Sequence, residues 1–348
     1  DEPTVARGLQ NNFDPKDQFD DRAFQYLINS HPVDKIEIIV LGGTWTSYPR
    51  EYQEDFIRDI FYAANIFGDI GENRKKLSLV EEQKINEYSK SSRIIGLTLE
   101  MRPDSINVEE IAWLRFLGCT RVQLGVQHID DRILKIVNRK CKTKDVIKAL
   151  ELLLNANFKV DAHWMPDLPG STPEIDRQMF HRIIDSENLQ FDQWKIYPTT
   201  ITPWTKIKEW FDEGRYTPYT EKEPELLMNV LEEIKPRIHP WIRINRLVRD
   251  IPNTAKDGTV YICGGNKVTN LRQLINNRLE KKGKFCRCIR CCEPKNNTHN
   301  LKFSKLNILV IGEAMLDIYS YGKSYRESPE GPIPCLLYTS PSPRDGLL

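Results

Sequence analysis

Four cysteines crowd into residues 286–292, and they are the side chains with the clearest metal chemistry. Cys286, Cys288 and Cys291 form a C-x-C-x2-C arrangement that Cys292 adjoins. Thiolates at this spacing suit zinc, which takes four soft ligands tetrahedrally at about 2.3 Å. We predict a zinc site with Cys286, Cys288 and Cys291 as ligands and with Cys292, Cys263 or a histidine as the fourth. The alternative is a set of reduced, unligated thiols.

A second candidate site is the turn Gly42-Gly43-Thr44, which follows a run of apolar and β-prone residues at 36–40. A short apolar run that ends in a turn is typical of a buried parallel strand. Paired glycines let the backbone come close to a ligand because no Cβ stands in the way. Ligands of α/β folds bind at the carboxyl ends of the strands. The alternative is an ordinary tight turn from strand to helix.

Positively charged residues form a third candidate site. Arg243, Arg246 and Arg249 lie close together, and Lys281 and Lys282 begin a second basic stretch that ends at residue 290. Such groups bind nucleic-acid phosphates with little sequence preference. We predict a tRNA contact here, although a solvated basic surface would produce the same pattern.

Alternating strands and helices would have to position these residues. The predicted strands are 36–40, 93–99, 121–125, 159–164, 193–197 and 241–247, and the predicted helices are 19–28, 50–67, 108–117, 144–156, 173–185 and 219–234. Residues 75–92 are expected to be helix or loop. About six alternations are the signature of a parallel α/β sheet or barrel.

Several of the predicted strands end in polar or glycine-rich turns, which a barrel would gather on one face. The turns are Gly42-Gly43-Thr44, Glu100-Met101-Arg102, Gln127-His128, Pro166-Asp167 and Pro198-Thr199. We therefore predict an α/β fold, a partial parallel (β/α) barrel with its site at the carboxyl ends of the strands.

Composition narrows the class of protein. With 348 residues and a formal net charge of +1, the chain has no global basic field, so any nucleic-acid site must be local. No apolar run approaches the roughly 18 residues that cross a membrane, and the acidic start has no features of a secretory leader. Clustered cysteines fit a reducing compartment. We predict a cytoplasmic protein without membrane partners.

Over residues 2–292 the chain resembles the radical S-adenosylmethionine (SAM) domain of the catalytic subunit of Elongator. The likeness rests on motifs in chain order: Leu41-Gly42-Gly43-Thr44, Glu100-Met101-Arg102-Pro103-Asp104, Gln123-Leu124-Gly125-Val126-Gln127, Met165-Pro166-Asp167-Leu168-Pro169-Gly170-Ser171-Thr172, Lys195-Ile196-Tyr197-Pro198-Thr199 and His239-Pro240-Trp241-Ile242-Arg243. The resemblance implies the radical SAM type of partial barrel. It also implies an enzyme that adds a carboxymethyl-type group to C5 of the wobble uridine of tRNA, using acetyl-CoA and a radical derived from SAM.

The resemblance also assigns site residues. It places Gly42, Gly43 and Thr44 against the methionine part of SAM, with Glu100 near the polar groups of SAM. Gln127 and Lys195 would line the same pocket, and Lys195 is the predicted catalytic residue.

Each assignment has a plainer alternative. Lys195 could be a solvated lysine, and Glu100 could form a structural ion pair with Arg102. We interpret Asp167 as structural, since an aspartate commonly starts a turn such as the one at Pro169 and Gly170. The family also carries a structural zinc between its two domains, with cysteines at matching positions.

The sequence departs from the family in two ways. Three closely spaced cysteines that hold a four-iron four-sulfur cluster are expected upstream of Glu2, and Cys119 and Cys141 are too widely spaced to replace them. The acetyltransferase domain expected after Cys292 is absent. The resemblance thus predicts a fragment, inactive as given, with tRNA, other Elongator subunits if eukaryotic, and a second copy as partners. The alternative is a non-catalytic tRNA-binding scaffold.

The carboxyl-terminal part changes character. Residues 306–334, with a predicted strand at 306–311 and with Asp317, resemble the start of a ribokinase-like sugar kinase of the heptose kinase type. Residues 335–348 have no periodicity and are predicted to be disordered. The predicted domains are a barrel at 1–285, a cysteine-rich linker at 286–300, a truncated kinase-like start at 301–334 and a tail at 335–348.

Overall fold

A computed structural model describes residues 3–68, 74–249, 253–254, 258–293, 324–327 and 334–336. The chain divides into two compact units, residues 1–291 and residues 292–348. In the second unit, strands β9 (Ser324–Glu327) and β10 (Pro334–Leu336) pair antiparallel. The predicted strand at 306–311 lies outside the described residues.

One six-stranded parallel sheet organises the first unit, in the order β1-β2-β3-β4-β5-β7. Each neighbouring pair is parallel. The edges β1 and β7 do not pair with each other, so the curled sheet is an open half-barrel, as predicted. The strands are β1 (Lys35–Val40), β2 (Arg93–Met101), β3 (Arg121–Gln127), β4 (Lys159–Trp164), β5 (Gln193–Ile196) and β7 (Arg243–Arg246), with a small antiparallel pair of β6 (Thr200–Ile201) and β8 (Gly264–Gly265) beside them.

Helices form an outer layer because the connections between parallel strands must cross back over the sheet. The helices are α1 (Pro3–Gln10), α2 (Pro15–Ile28), α3 (Arg50–Ile66), α4 (Leu79–Glu87), α5 (Val108–Phe116), α6 (Asp131–Ile136), α7 (Thr143–Asn155), α8 (Pro173–Asp185), α9 (Lys206–Asp212), α10 (Tyr219–Lys222), α11 (Pro224–Ile234), α12 (Leu271–Lys281) and α13 (Ile289–Cys292). Local chemistry fixes several starts. The Thr172 side chain caps α8, for example, and Pro173 occupies its first turn.

The two faces of the sheet differ in chemistry. Leu99, Val122, Trp164 and Trp194 are buried in the hydrophobic core, and the Trp194 ring lies 6.3 Å from that of Phe180 on α8. Alternate strand residues point to opposite faces, so the polar residues between them face the inside of the half-barrel. A parallel sheet with both faces buried is normally apolar throughout. Polar residues on the inner face therefore mark a site.

Element boundaries differ from the sequence prediction where a cap or a proline decides them. The predicted helix at 19–28 begins at Pro15, because the Asp14 side chain caps it. The predicted helix at 219–234 is divided into α10 and α11. Pro224 cannot donate a backbone hydrogen bond and forces Glu223 into an extended conformation (φ −148°, ψ 94°). Helices α1, α6, α9, α12 and α13 were not predicted.

Candidate active site and metal centre

The glycine turn at the end of β1 is open to solvent. Gly42 has a φ of +144° and Gly43 a φ of +101°, conformations that L side chains rarely adopt. A Cβ added to either glycine would meet nothing within 4 Å. The turn therefore leaves an accessible stretch of backbone, which leads into the half-buried Thr44 and a 3₁₀ turn at Trp45–Ser47.

Strand register brings a polar row together on the inner face of the half-barrel. Glu100 lies beside Gln123, and Gln123 lies beside Asp161. His163 in turn lies beside Lys195. We call Glu100, Gln123, Asp161, His163 and Lys195 the inner polar row. The row spans four adjacent strands, which is why no single stretch of sequence contains it.

Lys195 is buried, and its ammonium donates to Oε1 of Gln123 at 2.7 Å. Burial lowers the pKa of Lys195, while the charges of Glu100 and Asp161 act in the opposite direction. A buried lysine with a lowered pKa can act as a proton donor or acceptor more readily than a solvated one. The alternative that Lys195 is a solvated lysine is therefore wrong, although its catalytic role stays a prediction.

Sequence reasoning missed His163. Its Nε2 lies 3.2 Å from the same oxygen of Gln123, and its ring packs edge-on against Tyr197. Burial is the first cause that lowers the pKa of His163, to about 3, and the charges of Lys195, Arg249 and Arg139 add to it. Because an amide oxygen only accepts, the neutral imidazole donates from Nε2. The sequence did contain a signal for this residue, because His163 lies in a predicted strand between two apolar residues that face the core.

Deeper in the half-barrel, Arg121 and Asp161 form an ion pair at 3.1 Å. Burial raises the pKa of Asp161. On the last two strands, Asn245 donates to Gln193 and accepts from Nε of Arg243 at 2.9 Å. These contacts pair several polar groups at the floor of the site, while Oδ2 of Asp161 is buried without a hydrogen-bond partner among the described residues.

Gln127 and Glu100, the other predicted pocket residues, lie at the ends of their strands. Gln127 is half-buried and has a φ of +74°. Its side chain lies near Gly125, where an added Cβ would sit 3.2 Å from the Gln127 amide nitrogen. Glu100 is half-buried next to Met101, and Arg102 pairs with Asp104 at 2.7 Å.

Asp167 is the centre of a buried network beyond β4. Its carboxylate accepts from the backbone of Tyr219 at 2.8 Å and of Thr220 at 3.0 Å, and its own backbone N–H donates to Asp176 at 2.7 Å. Burial raises the pKa of Asp167 to about 6. These contacts tie the loop after β4 to α8 and α10, which agrees with a structural role for Asp167.

The predicted RNA-binding cations occupy two places. Arg243, Arg246 and Arg249 lie on β7 or just after it, and the last two are exposed. Arg249 also lines a small pocket with Thr200, Asn266 and Lys267. Lys281 ends α12 and is exposed, whereas the neighbouring Lys282 forms an ion pair with Glu232.

The predicted metal ligands come together. The sulfur atoms of Cys286, Cys288 and Cys291 all lie within 4.8 Å of one another. The first two are buried and the third is half-buried. Adjacent ligands of a tetrahedral zinc–thiolate site are about 3.8 Å apart, so a small contraction fits the ion. Hydrogen bonds from the Cys286 and Cys288 thiols are the first cause that lowers the pKa of Cys291.

The other cysteines are unsuited to ligate at the mouth of the barrel. Cys119 is buried, donates to the Arg121 carbonyl at 3.1 Å and has a pKa raised by burial to about 12. Cys141 is also buried. The backbone N–H of Ile289 bonds to the carbonyl of Ile242, so the Cys286–Cys291 group lies near the amino-terminal end of β7, away from the glycine turn. The described residues thus supply no cysteine set for a four-iron cluster beside Gly42 and Gly43.

Comparison with known families defines the class. Residues 14–181 match the Radical SAM superfamily, and residues 191–281 match the Radical SAM C-terminal domain. Together with the six-stranded parallel half-barrel, these matches show that the chain belongs to the radical SAM superfamily. That membership implies SAM and a four-iron four-sulfur cluster as cofactors.

Individual relatives narrow the group further. The chain is 41% identical over 292 residues to the tRNA uridine(34) acetyltransferase of Methanocaldococcus infernus, covering 84% of this chain and 52% of that protein. It is 33% identical to Elongator complex protein 3 of Schizosaccharomyces pombe, again over 84% of this chain and over 51% of the relative. The chain therefore spans about half the length of the curated relatives it matches.

A solved structure of archaeal Elp3 from Methanocaldococcus infernus, with an N-terminal deletion, is similar to this chain. The TM-score is 0.74 at 40% identity, and the match covers 82% of this chain and 63% of that one. Within the described residues, no helix has both the length and the apolar character needed to cross a membrane.

Proposed function

We propose that this chain is the radical SAM part of an enzyme that modifies uridine 34, the wobble base of tRNA. The observation that carries the proposal is the inner polar row, in which buried Lys195 on β5 donates to Gln123 on β3. The names of the similar proteins, which act on tRNA uridine 34, support it.

SAM would be held at the mouth of the half-barrel. The open backbone at Gly42 and Gly43 has room for a ligand, and the Thr44 hydroxyl follows directly. Glu100 could accept from the amino group of the methionine part, while Gln127 and Lys195 could donate to its carboxylate. On one-electron reduction by an external donor, bound SAM would supply a 5′-deoxyadenosyl radical and release methionine. Lys195, the predicted catalytic residue, would hold or move a proton near the substrate base.

The four-iron cluster has no ligand set among the residues that the structure describes, so we derive no step through it. The expectation that the chain is inactive as given remains a prediction. Acetyl-CoA use and carboxymethyl-type chemistry are proposals carried over from the resemblance. The same holds for a cytoplasmic location, for Elongator partners and for pairing of two copies.

RNA would bind along the basic residues near β7 and the end of α12. Arg246, Arg249 and Lys281 are exposed and could contact phosphates, with Arg243 held closer to the barrel by Asn245. Lys282 would contribute less because Glu232 already pairs with it. The wobble base would have to leave the anticodon stack to reach the inner polar row.

The cysteine group would hold a structural zinc, with Cys286, Cys288 and Cys291 as ligands and the fourth ligand open. Such a site would fix residues 286–291 against the barrel. The predicted resemblance of residues 306–334 to a ribokinase-like sugar kinase receives no support, because the matches to known families end at residue 281.

Two measurements on the full chain test the proposal. Calorimetry should detect SAM binding, and an anticodon stem-loop with uridine 34 should bind in a salt-dependent manner. A chain that is folded by circular dichroism yet binds neither ligand would contradict the proposal. SAM binding separates the enzyme part from the alternative, a tRNA-binding scaffold, which would bind the RNA and give no calorimetric heat with SAM.

A further inference from the structure

Lys235 is a charged side chain with no exposed surface. It lies in a 3₁₀ turn, Lys235–Arg237, directly after α11. Its Nζ donates to Sγ of Cys291 at 3.7 Å. Within the described part of the chain, no carboxylate lies within ion-pair distance of this ammonium. Burying an ammonium without a counter-charge costs several kcal/mol, so the sulfur group is the available counter-charge.

Two further donors reach the same sulfur from α12. Nη1 of Arg272 lies 3.8 Å from Sγ of Cys291, and Nη2 of Arg272 donates to the carbonyl of Ile244 at 2.7 Å. Nδ2 of Asn276, one helical turn later, lies 4.0 Å from that sulfur. The Arg272 guanidinium is thus oriented by β7 and cannot turn away without losing a second hydrogen bond.

The net charge of a metal–thiolate complex explains why positively charged side chains lie next to the cysteine group. Three thiolates around a divalent ion carry a net charge of −1, and a fourth thiolate would make it −2. A partly buried anionic complex is unfavourable unless nearby cations and N–H donors offset it. Lys235 and Arg272 supply two positive charges, and together with Asn276 they supply donors to one sulfur.

We propose that Lys235 and Arg272 are positioning residues of this metal centre. With their positive charges beside it, the centre binds a thiophilic divalent cation as an anionic thiolate complex. The bound ion then holds residues 286–291 against α11, α12 and β7. The inference rests on the metal part of the proposed function. The spacing of the cysteines does not predict this role for Lys235, because Lys235 lies 56 residues before Cys291.

The test compares zinc-loaded full chains of the wild type, Lys235→Met and Arg272→Met. Lys148→Met, an exposed lysine on α7, is the matched control. We expect a chromogenic chelator to remove zinc at least tenfold faster from the first two variants than from wild type and control. Zinc should also raise their thermal midpoint less. Lys235→Arg, which keeps the charge, should restore most of the retention.

Cobalt(II) substitution adds a readout that a merely structural lysine would not change. Loss of an N–H donor makes the thiolate sulfur more electron-rich, so the sulfur-to-cobalt charge-transfer band of Lys235→Met should move to lower energy. The zinc-free Lys235→Met protein should be no less stable than the zinc-free wild type, because a buried charge has been removed.

Three outcomes would overturn the inference. The first is that zinc release and the cobalt band are the same in Lys235→Met as in the wild type. The second is that the zinc-free variant unfolds at a clearly lower temperature, which would make Lys235 a residue that stabilises the fold. Finally, a wild type that takes up neither zinc nor cobalt would refute the metal site itself, and the failure would then lie in the proposed function.

Discussion

Lys195 on β5 reaches past β4 and donates to Oε1 of Gln123 on β3 at 2.7 Å. An ammonium only donates, so this contact fixes the orientation of the Gln123 amide. The same oxygen then receives Nε2 of His163 at 3.2 Å. One amide oxygen therefore sets both the position of the lysine and the tautomer of the histidine. Three strands distant in sequence are joined at the candidate site.

The Lys195–Gln123 pair should show strong energetic coupling. Gln123→Leu leaves a buried ammonium without its acceptor and should lower the free energy of unfolding by about 1–3 kcal/mol. Lys195→Met should cost less, because Gln123 keeps His163 as a partner. The double variant should be more stable than the two single losses added together. Urea unfolding of all four proteins measures this, and simple additivity would contradict the contact.

Backbone shape at the glycine turn should matter for SAM. Gly43→Val forces a β-branched residue to a φ of +101° and places its side chain in the open space of the turn. We expect the SAM dissociation constant from calorimetry to rise more than tenfold. Gly214→Val is the matched control, since Gly214 has a φ of +72° and equal room. Equal losses in both variants would mean that strain, rather than the site, is responsible.

The strands were predictable because each is a short apolar run that ends in a turn, and the resemblance supplied Gly42, Gly43 and Lys195. His163 and Lys235 were not predictable in the same way. The partner of His163 lies 40 residues earlier, and that of Lys235 lies 56 residues later. A lysine beside Pro236 and Arg237 looks solvated in sequence. It is fully buried, and its Nζ donates to Sγ of Cys291 in the cysteine segment.

Acid should weaken the fold through His163. Its pKa is lowered from 6.5 to about 3, so the unfolded chain binds the proton more readily. This contribution is complete above pH about 6.5 and is lost as the pH falls towards 3, by at most about 1.4 kcal/mol per pH unit. The difference in unfolding free energy between wild type and His163→Gln should therefore grow from pH 4 to 6.5 and then stay level.

The pH dependence of stability that Asp167 contributes should have the opposite sign to that of His163. Burial raises its pKa from 3.8 to about 6, so its contribution is complete below the unfolded value and is lost as the pH rises through 6. The difference in unfolding free energy between wild type and Asp167→Asn should shrink from pH 4 to 6.5, the range in which the difference for His163→Gln grows. A flat difference for either variant in urea unfolding between pH 4 and 7 would contradict the corresponding burial effect.

RNA binding should depend unequally on the predicted cations. Arg246→Ala and Arg249→Ala each remove an exposed charge beside the barrel, so each should weaken tRNA binding and reduce the slope of log K against log salt by about 1. Lys282→Ala should change the slope less, since Lys282 must leave Glu232 to reach a phosphate. Fluorescence titrations at several salt concentrations measure the slopes, with Lys148→Ala as a control outside the basic residues. If Lys282→Ala had the largest effect, the RNA path would follow the end of α12 rather than β7.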